Sequence, residues 1–469
     1  MRSLLVALAL AAAPLAAAQP APDLRTEPTT FEAQDGRTVE AELGRFRVPE
    51  HRRRGSGRTI ELAFVRFPST HPDPGPPIVY LAGGPGGSGT GTAERTRFSL
   101  FQSLRDVADV IAFDQRGTAL SEHLPECPHT YGVPLDAPDA RAALAASAEE
   151  AARACAAHWR RLGVDLAAYT TAESAADIDA LRQALGADQV SLWAISYGTH
   201  LALATLRLFP ESVARAVLAG VEGPDHTYKL PSDQQALLEE IDARHRAAEP
   251  DAPSMLDDLA AVLDTLRQRP VTVETEVQGE TVAVTLSAPD VQMLVAGMLG
   301  GPESSMQIPG LAAALRAGAY EAIAPYVVWL RSPGGISAMS AAMDAASGAS
   351  LWRRARIVRE ARETLLGDAI NAPMPALAAG LGLPDLGPAF RAPVTSDVPT
   401  LFISGTLDGR TPVANADEVR QGFADHAHLV IDGAGHSDPL FLGSPVILER
   451  MRAFFGGEAV PSETIPMAP

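Results

Sequence analysis

The chain has 469 residues, of which 46% are hydrophobic, and it carries 38 Lys and Arg against 57 Asp and Glu, a formal net charge of −19 at pH 7. This length allows a large buried core and suggests two or three domain-sized units. The negative charge argues against a nucleic-acid partner, because a phosphate backbone would be repelled over most of the surface.

The first twenty residues, MRSLLVALALAAAPLAAAQP, combine one basic residue with an apolar run that ends in Ala-rich sequence. This pattern predicts a secretory signal peptide over residues 1–18, ending in Ala16-Ala17-Ala18. A membrane anchor is the alternative, but the apolar run is short and contains Pro14. No later stretch has the roughly 20 apolar residues of a spanning helix. We therefore expect a secreted or periplasmic protein without a stable membrane anchor.

Strand and helix patterns alternate over residues 31–222 and again over 395–455. The predicted strands are 39–48, 60–67, 78–81, 107–113, 190–195, 213–218, 399–404 and 429–431. The predicted helices are 139–162, 172–186, 198–209, 413–424 and 445–455. This alternation predicts an α/β fold with a doubly wound, mostly parallel sheet covered by helices on both faces.

Residues 223–394 interrupt this alternation with mostly Ala-, Leu- and Arg-rich helical sequence. One exception is PVTVETEVQGETVAVTLSAPD, in which two alternating runs around Gly279 predict a hairpin. We therefore expect a mostly helical lid inserted into a core formed by 31–222 and 395–455. Residues 456–469 contain three prolines and no periodicity, which predicts a flexible tail.

The chain contains two cysteines, Cys127 and Cys155. In an exported protein, a pair this close in sequence predicts a disulfide, and two free buried thiols are the alternative. The 11 histidines do not cluster with these cysteines at ligand spacings, so we expect no metal site.

The pentapeptide Ala194-Ile195-Ser196-Tyr197-Gly198 places a serine between a strand pattern and a helix pattern, with a small residue two positions to either side. A nucleophile elbow has this form. Such a serine needs a histidine base that is oriented by an acid, and in this fold the chain order is Ser, acid, His. Asp408 in FISGTLDGRTP and His436 in VIDGAGHSDP follow predicted strands in that order. We predict the triad Ser196, Asp408 and His436, with Asp432, Asp438, His426 and His428 as local alternatives.

Acyl transfer also requires an oxyanion hole of backbone N–H groups. The amide of Tyr197 follows the nucleophile, and the glycine loop at 81–87 supplies a second donor. Because Pro85 has no N–H, that donor is predicted to be Gly84 or Gly83. A phosphate-binding loop is disfavoured, since the Lys-Ser/Thr ending of a P-loop is missing.

Five motifs together resemble the prolyl-iminopeptidase and tripeptidyl-aminopeptidase family of α/β-hydrolases: AGGPGGSG, DQRG, AISYGT, GTLDGRTP and GAGHS. The resemblance covers the predicted core and, loosely, the lid. It implies an α/β-hydrolase fold with a helical cap, no cofactor, and cleavage of short units from free peptide N-termini. By position the family's triad falls on Ser196, Asp408 and His436. Ala82 and Ala194 depart from the family's usual His and Gly.

Recognition of a free amine requires a carboxylate near the nucleophile. Glu222 in VLAGVEGPDH is the candidate, with a solvated loop acid as the alternative reading. The sequence thus predicts a secreted serine aminopeptidase that releases proline or di- or tripeptides. A carboxylesterase or amidase acting on small esters and an inactive binding protein are the alternatives. The sequence carries no signal for an oligomeric state.

Overall fold

A computed structural model describes residues 22–52 and 57–468, so the predicted signal peptide lies outside the described residues. Fourteen strands lie in these ranges: β1 Arg25–Glu32, β2 Thr38–Pro49, β3 Thr59–Phe67, β4 Gly75–Leu81, β5 Ala108–Asp114, β6 Thr130–Tyr131, β7 Val190–Ser196, β8 Val213–Val221, β9 Val271–Val277, β10 Glu280–Leu286, β11 Gly334–Gly335, β12 Thr400–Gly405, β13 His426–Asp432 and β14 Glu463–Pro466.

The same ranges contain eighteen α-helices: α1 Gly89–Ala93, α2 Phe98–Ser103, α3 Ala140–Arg161, α4 Thr171–Ala184, α5 Tyr197–Leu208, α6 Pro231–Ala248, α7 Met255–Gln268, α8 Ala288–Met298, α9 Pro302–Ser305, α10 Ile308–Arg316, α11 Ala324–Arg331, α12 Ala338–Ser347, α13 Leu351–Glu360, α14 Met374–Leu381, α15 Pro388–Arg391, α16 Val413–Val419, α17 Pro439–Leu442 and α18 Pro445–Phe455. Side-chain caps define several starts. For example, the Thr170 side chain accepts the Glu173 N–H where α4 begins.

Ten strands form one sheet in the order β1-β2-β3-β5-β4-β7-β8-β12-β13-β14. The pairs β1–β2, β2–β3 and β3–β5 are antiparallel. Every neighbouring pair from β5 to β14 is parallel. The predicted doubly wound, mostly parallel sheet is therefore confirmed. After β4 the chain adds β5 on one side of it and then β7 on the other, and sheets of this kind bind ligands at the carboxyl ends of strands beside such a switch point.

Two apolar layers cover the sheet, because successive side chains of a strand point to opposite faces. Trp193 packs on one face with residues of α17 and α18, while Leu192 packs on the other face with residues of α4 and α5. Helices on both faces explain why β7 is a continuous apolar run, with every residue before Ser196 buried.

The segment 223–394 holds α6 to α15 and the predicted hairpin, in which β9 and β10 pair antiparallel. Helix α3 was expected to flank the sheet, but its buried residues Ala148 and Ala152 pack instead with Ala341 and Leu377 of α12 and α14. The helical layer therefore also uses residues that precede 223. A disulfide joins Cys127 to Cys155 at the buried face of α3, which confirms that pairing.

Both ends of the predicted core need correction. Strand β1 begins at Arg25 and pairs with β2, so the sheet starts before residue 31. The prediction of a flexible tail over 456–469 is wrong for β14, which pairs in parallel with β13 and buries Ile465. Strand β14 has four residues, too few for a periodic signal in the sequence, and its conformation depends on pairing with β13. None of the described helices is both long and apolar enough to cross a bilayer.

Candidate active site

Ser196 ends β7 in a strained backbone conformation, with φ 57° and ψ −128°, and α5 begins at the next residue. A positive φ is uncommon for a residue other than glycine and costs about 1–3 kcal/mol, so surrounding contacts must hold it. A Cβ at Gly198 would lie 2.1 Å from the Leu81 carbonyl oxygen. Position 198 must therefore be glycine for α5 to start this close to β4, which explains one small residue of the pentapeptide.

The hydroxyl of Thr199 ties this turn to the end of β8. It donates to the Ser196 carbonyl at 2.6 Å and accepts the backbone N–H of Glu222 at 2.8 Å. Thr199 is fully buried. This role was not predicted from the sequence, although the threonine belongs to the AISYGT motif.

Asp408 and His436 form a hydrogen-bonded pair, with His436 Nδ1 2.9 Å from Asp408 Oδ2. The same oxygen accepts the Thr411 hydroxyl at 2.7 Å, and Oδ1 accepts the backbone N–H groups of Arg410 and Thr411 at 2.8 and 2.9 Å. The Thr411 contact was not anticipated from the sequence.

Burial alone would raise the pKa of Asp408. The nearby His436 and the hydrogen bonds from His436 and Thr411 outweigh it, so this pKa lies below its ordinary value. An ionised Asp408 keeps the proton on Nδ1 of His436, which leaves Nε2 able to accept a proton.

The local alternatives to this pair are engaged elsewhere. Arg244 and Thr406 donate to Asp432, and Arg97 donates to Asp438. The two alternative histidines are also hydrogen-bonded elsewhere: His426 to the Phe423 carbonyl, and His428 to the Ser404 hydroxyl.

Ser196 and His436 border one cavity of about 620 Å³, which Gly83 and Gly84 also line. A Cβ at Gly83 would lie 2.8 Å from Ser196 Cβ, so only glycine allows the loop to pass this close. The Tyr197 side chain turns into the core, where its hydroxyl contacts Thr171. The loop residues predicted to supply oxyanion donors thus lie beside the serine.

Three charged groups meet in the same cavity: Glu222, Lys229 and Asp344. Glu222 is buried, with 6% exposure, so the reading of a solvated loop acid is wrong. It accepts Lys229 Nζ at 2.5 Å, and the same Nζ donates to the His226 carbonyl at 3.0 Å.

Asp344, in α12, also lines the cavity, and it was not predicted from the sequence. Burial raises its pKa well above the ordinary value, Glu222 raises it further, and Lys229 offsets part of the rise. Within the described residues no hydrogen bond to its carboxylate offsets this rise. The available signal was a single acid within the apolar sequence SAMSAAMDAAS.

The DQRG motif connects segments around the site through buried hydrogen bonds and an ion pair. Asp114 accepts bonds from the Ser88 and Thr90 hydroxyls and from the Leu120 N–H. Arg116 pairs with Asp177 and is fully buried. These contacts give Asp114 and Arg116 a structural role, bracing the loop that follows β5. Across residues 22–52 and 57–468, no cluster of three or more His, Cys, Asp and Glu could hold a metal ion.

Two protein-family profiles match the chain. Residues 76–244 match a family described as alpha/beta hydrolase fold, and residues 379–464 match one described as TAP-like protein. Similar solved structures include Rv0554 from Mycobacterium tuberculosis, at 16% identity over 88% of this chain and 100% of that chain, with a TM-score of 0.38. A thermophilic esterase from Thermogutta terrifontis is 14% identical over 91% of this chain and 97% of that chain, with a TM-score of 0.36.

Curated relatives carry peptidase names. Tripeptidyl aminopeptidase of Streptomyces coelicolor is 30% identical over 213 residues, which is 42% of this chain and 39% of the relative. Serine protease Hip1 of Mycobacterium bovis is 29% identical over 188 residues, 39% of this chain and 36% of the relative. The alignments thus span well under half the length of these relatives. The observed sheet and both family matches show that the chain has the α/β-hydrolase fold, and the peptidase names are those of the relatives.

Proposed function

We propose that the protein is an exported serine aminopeptidase that releases proline or short di- or tripeptide units from free peptide N-termini. The observation that carries this proposal is the pair of carboxylates, Glu222 and Asp344, in the cavity that Ser196 and His436 border. The α/β-hydrolase fold, the match of residues 379–464 to TAP-like proteins and the relatives named tripeptidyl aminopeptidase support it. Residues 223–394, which contribute Asp344, act as the lid of this cavity.

In the proposed reaction, Ser196 Oγ attacks the scissile carbonyl carbon while His436 Nε2 takes the hydroxyl proton. The N–H groups of Tyr197 and of Gly83 or Gly84 stabilise the negative carbonyl oxygen. The C–N bond then breaks, and His436 gives its proton to the leaving amine. Water attacks the resulting ester with His436 again as base, which releases the N-terminal unit and restores the serine.

The charged end of the cavity suits one ammonium group. Lys229 neutralises one of the two carboxylates, so the three groups together retain one unit of negative charge when both acids are ionised. An N-terminal ammonium beside Asp344 would supply the missing positive charge and lower the raised pKa of Asp344. An acylated N-terminus carries no charge and gains nothing from this site.

Export is supported by the N-terminal sequence pattern and by the disulfide, since such bonds persist in oxidising compartments.

The test compares prolyl and tripeptidyl 4-nitroanilides with their N-acetylated forms, using Ser196→Ala as the blank. We expect the free amines to be cleaved at least about tenfold faster, as loss of a charge-assisted contact of about 1.5–3 kcal/mol predicts. Asp344→Asn should remove this preference, because it should lower the cleavage rate of the free amines more than that of the acetylated substrates. If all anilides resist and phenyl esters are cleaved in a Ser196-dependent way, the protein is a carboxylesterase and the proposal fails.

A further inference from the structure

A second cavity of about 550 Å³ adjoins the first, and the two share the lining residues Ile370 and Arg410. We call it the apolar groove, because most of the residues that line it are apolar, among them Met293, Leu294, Met298, Trp329, Leu330 and Ile370. The proposed reaction makes no use of this groove.

Arg410 stands where the two cavities meet. Its backbone N–H donates to Asp408 Oδ1, which fixes the residue beside the acid–histidine pair. No hydrogen bond or ion pair reaches its guanidinium from the described residues, although burial lowers its pKa and only the charge of Asp408 opposes that. A partly buried cation without a partner is costly, and an anionic ligand would relieve that cost.

The other arginines of the first cavity differ from Arg410. Arg97 is buried and occupied, because its guanidinium donates to Asp438, Tyr80 and Ser437. Arg95 is exposed at the rim and does not border the apolar groove. Arg410 alone among these three combines partial burial, an unoccupied guanidinium and contact with both cavities.

The position of Arg410 identifies the part of a substrate that reaches it. The next residue, Thr411, contacts His436 Nδ1 at 3.1 Å, so Arg410 lies on the histidine side of the site. The histidine protonates the leaving amine, so the leaving peptide departs on this side. A guanidinium matches a carboxylate in shape and charge.

Building on the proposed aminopeptidase function, we propose that Arg410 binds the C-terminal carboxylate of a short leaving peptide, and that the last side chain of this peptide enters the apolar groove. The enzyme then acts on short peptides with a free C-terminus and an apolar last residue. The acidic end of the cavity binds one terminus of the substrate and Arg410 binds the other.

The test uses short peptides such as Ala-Ala-Pro-Ala-Leu, each made as the free acid and as the C-terminal amide, with products identified by mass spectrometry. We expect kcat/KM to favour the acid by about tenfold or more, as a charge-assisted contact predicts. Arg410→Met should bring the acid-to-amide ratio close to one, Arg410→Lys should keep part of it, and Arg95→Met should keep the wild-type ratio. A general loss of activity cancels in this ratio.

A second variant tests the groove without changing Arg410. A Cβ at Gly297, which lines the groove, has nothing within 4 Å, so Gly297→Phe fills the groove without a clash at its root. We expect it to reduce the preference for Leu over Glu as the last residue and to leave the acid-to-amide ratio in place. Gly310→Phe, at an equally open helical position outside the groove, is the matched control.

Two results would overturn this inference: equal cleavage of acid and amide by the wild type, or an unchanged ratio in Arg410→Met. If free-amine anilides are still cleaved through Ser196 in that case, the proposed aminopeptidase function stands and only the role of Arg410 fails. If no free-amine substrate is cleaved, the proposed function itself fails, and this inference with it.

Discussion

Replacing Thr199 by valine should damage both stability and catalysis. Valine keeps the shape of threonine but removes the hydroxyl, which leaves the buried N–H of Glu222 without its acceptor and the Ser196 carbonyl without one donor. A buried unsatisfied N–H costs about 1–3 kcal/mol, so we expect Thr199→Val to lower the free energy of unfolding by that amount.

The same substitution releases a contact that holds the strained Ser196 backbone. A displacement of the nucleophile by about 1 Å can cost about 100-fold in rate, so we expect a clear fall in kcat/KM for any Ser196-dependent substrate. Urea unfolding and initial rates measure the two effects. Thr199→Ser keeps the hydroxyl and should restore most of both.

Thr205→Val is the matched control, because this threonine lies in the same helix, is equally buried, and donates only to the Leu201 carbonyl at 2.9 Å. It should change the free energy of unfolding less than Thr199→Val and leave kcat/KM unaltered. If the two valine variants are equally stable and equally active, Thr199 does not hold the serine in place.

Four further results are expected, from three sets of variants. Asp408→Asn should lower kcat/KM by about 10³- to 10⁴-fold. Because the pKa of Asp408 lies below its ordinary value, its ionised form stabilises the folded protein above about pH 4, and the stability gap between wild type and Asp408→Asn should narrow as the pH falls through the lowered pKa. Burial raises the pKa of Asp344, so the wild type loses stability as the pH rises from about 4 towards that pKa. Asp344→Asn should therefore have a higher melting temperature than the wild type at pH 8, and the difference should be smaller at pH 4. Replacing Cys127 and Cys155 together by alanine opens a loop with a sequence separation of 28 and should lower the free energy of unfolding in urea by about 3–4 kcal/mol.

The turn at Ser196 was predictable because it depends on local features. A buried strand, a helix and two small residues around Ser196 lie within one short stretch, and the observed φ of 57° is the strain that those small neighbours permit. Asp408 and His436 were predictable because each follows a strand of a parallel sheet, where the fold brings strand ends together.

Other features depend on contacts between segments distant in sequence. Asp344 reaches the site from a helix of the inserted segment, and only the folded chain brings it near Glu222 and Lys229. The pairing of Lys229 with Glu222 has no periodic signal. Helix α3 has the composition of a sheet-flanking helix, yet it packs on α14, where a Cβ at Gly380 would lie 2.3 Å from the Glu149 carbonyl oxygen, so the glycine allows the two helices to approach closely.

The central claim is that Ser196 is a nucleophile activated by the pair of His436 and Asp408. Its most direct test is reaction with an alkyl fluorophosphonate, followed by peptide mapping in a mass spectrometer. We expect one adduct, on Ser196, formed rapidly in the wild type and far more slowly in His436→Ala. An adduct on another residue, or peptidase activity that persists in Ser196→Ala, would contradict it.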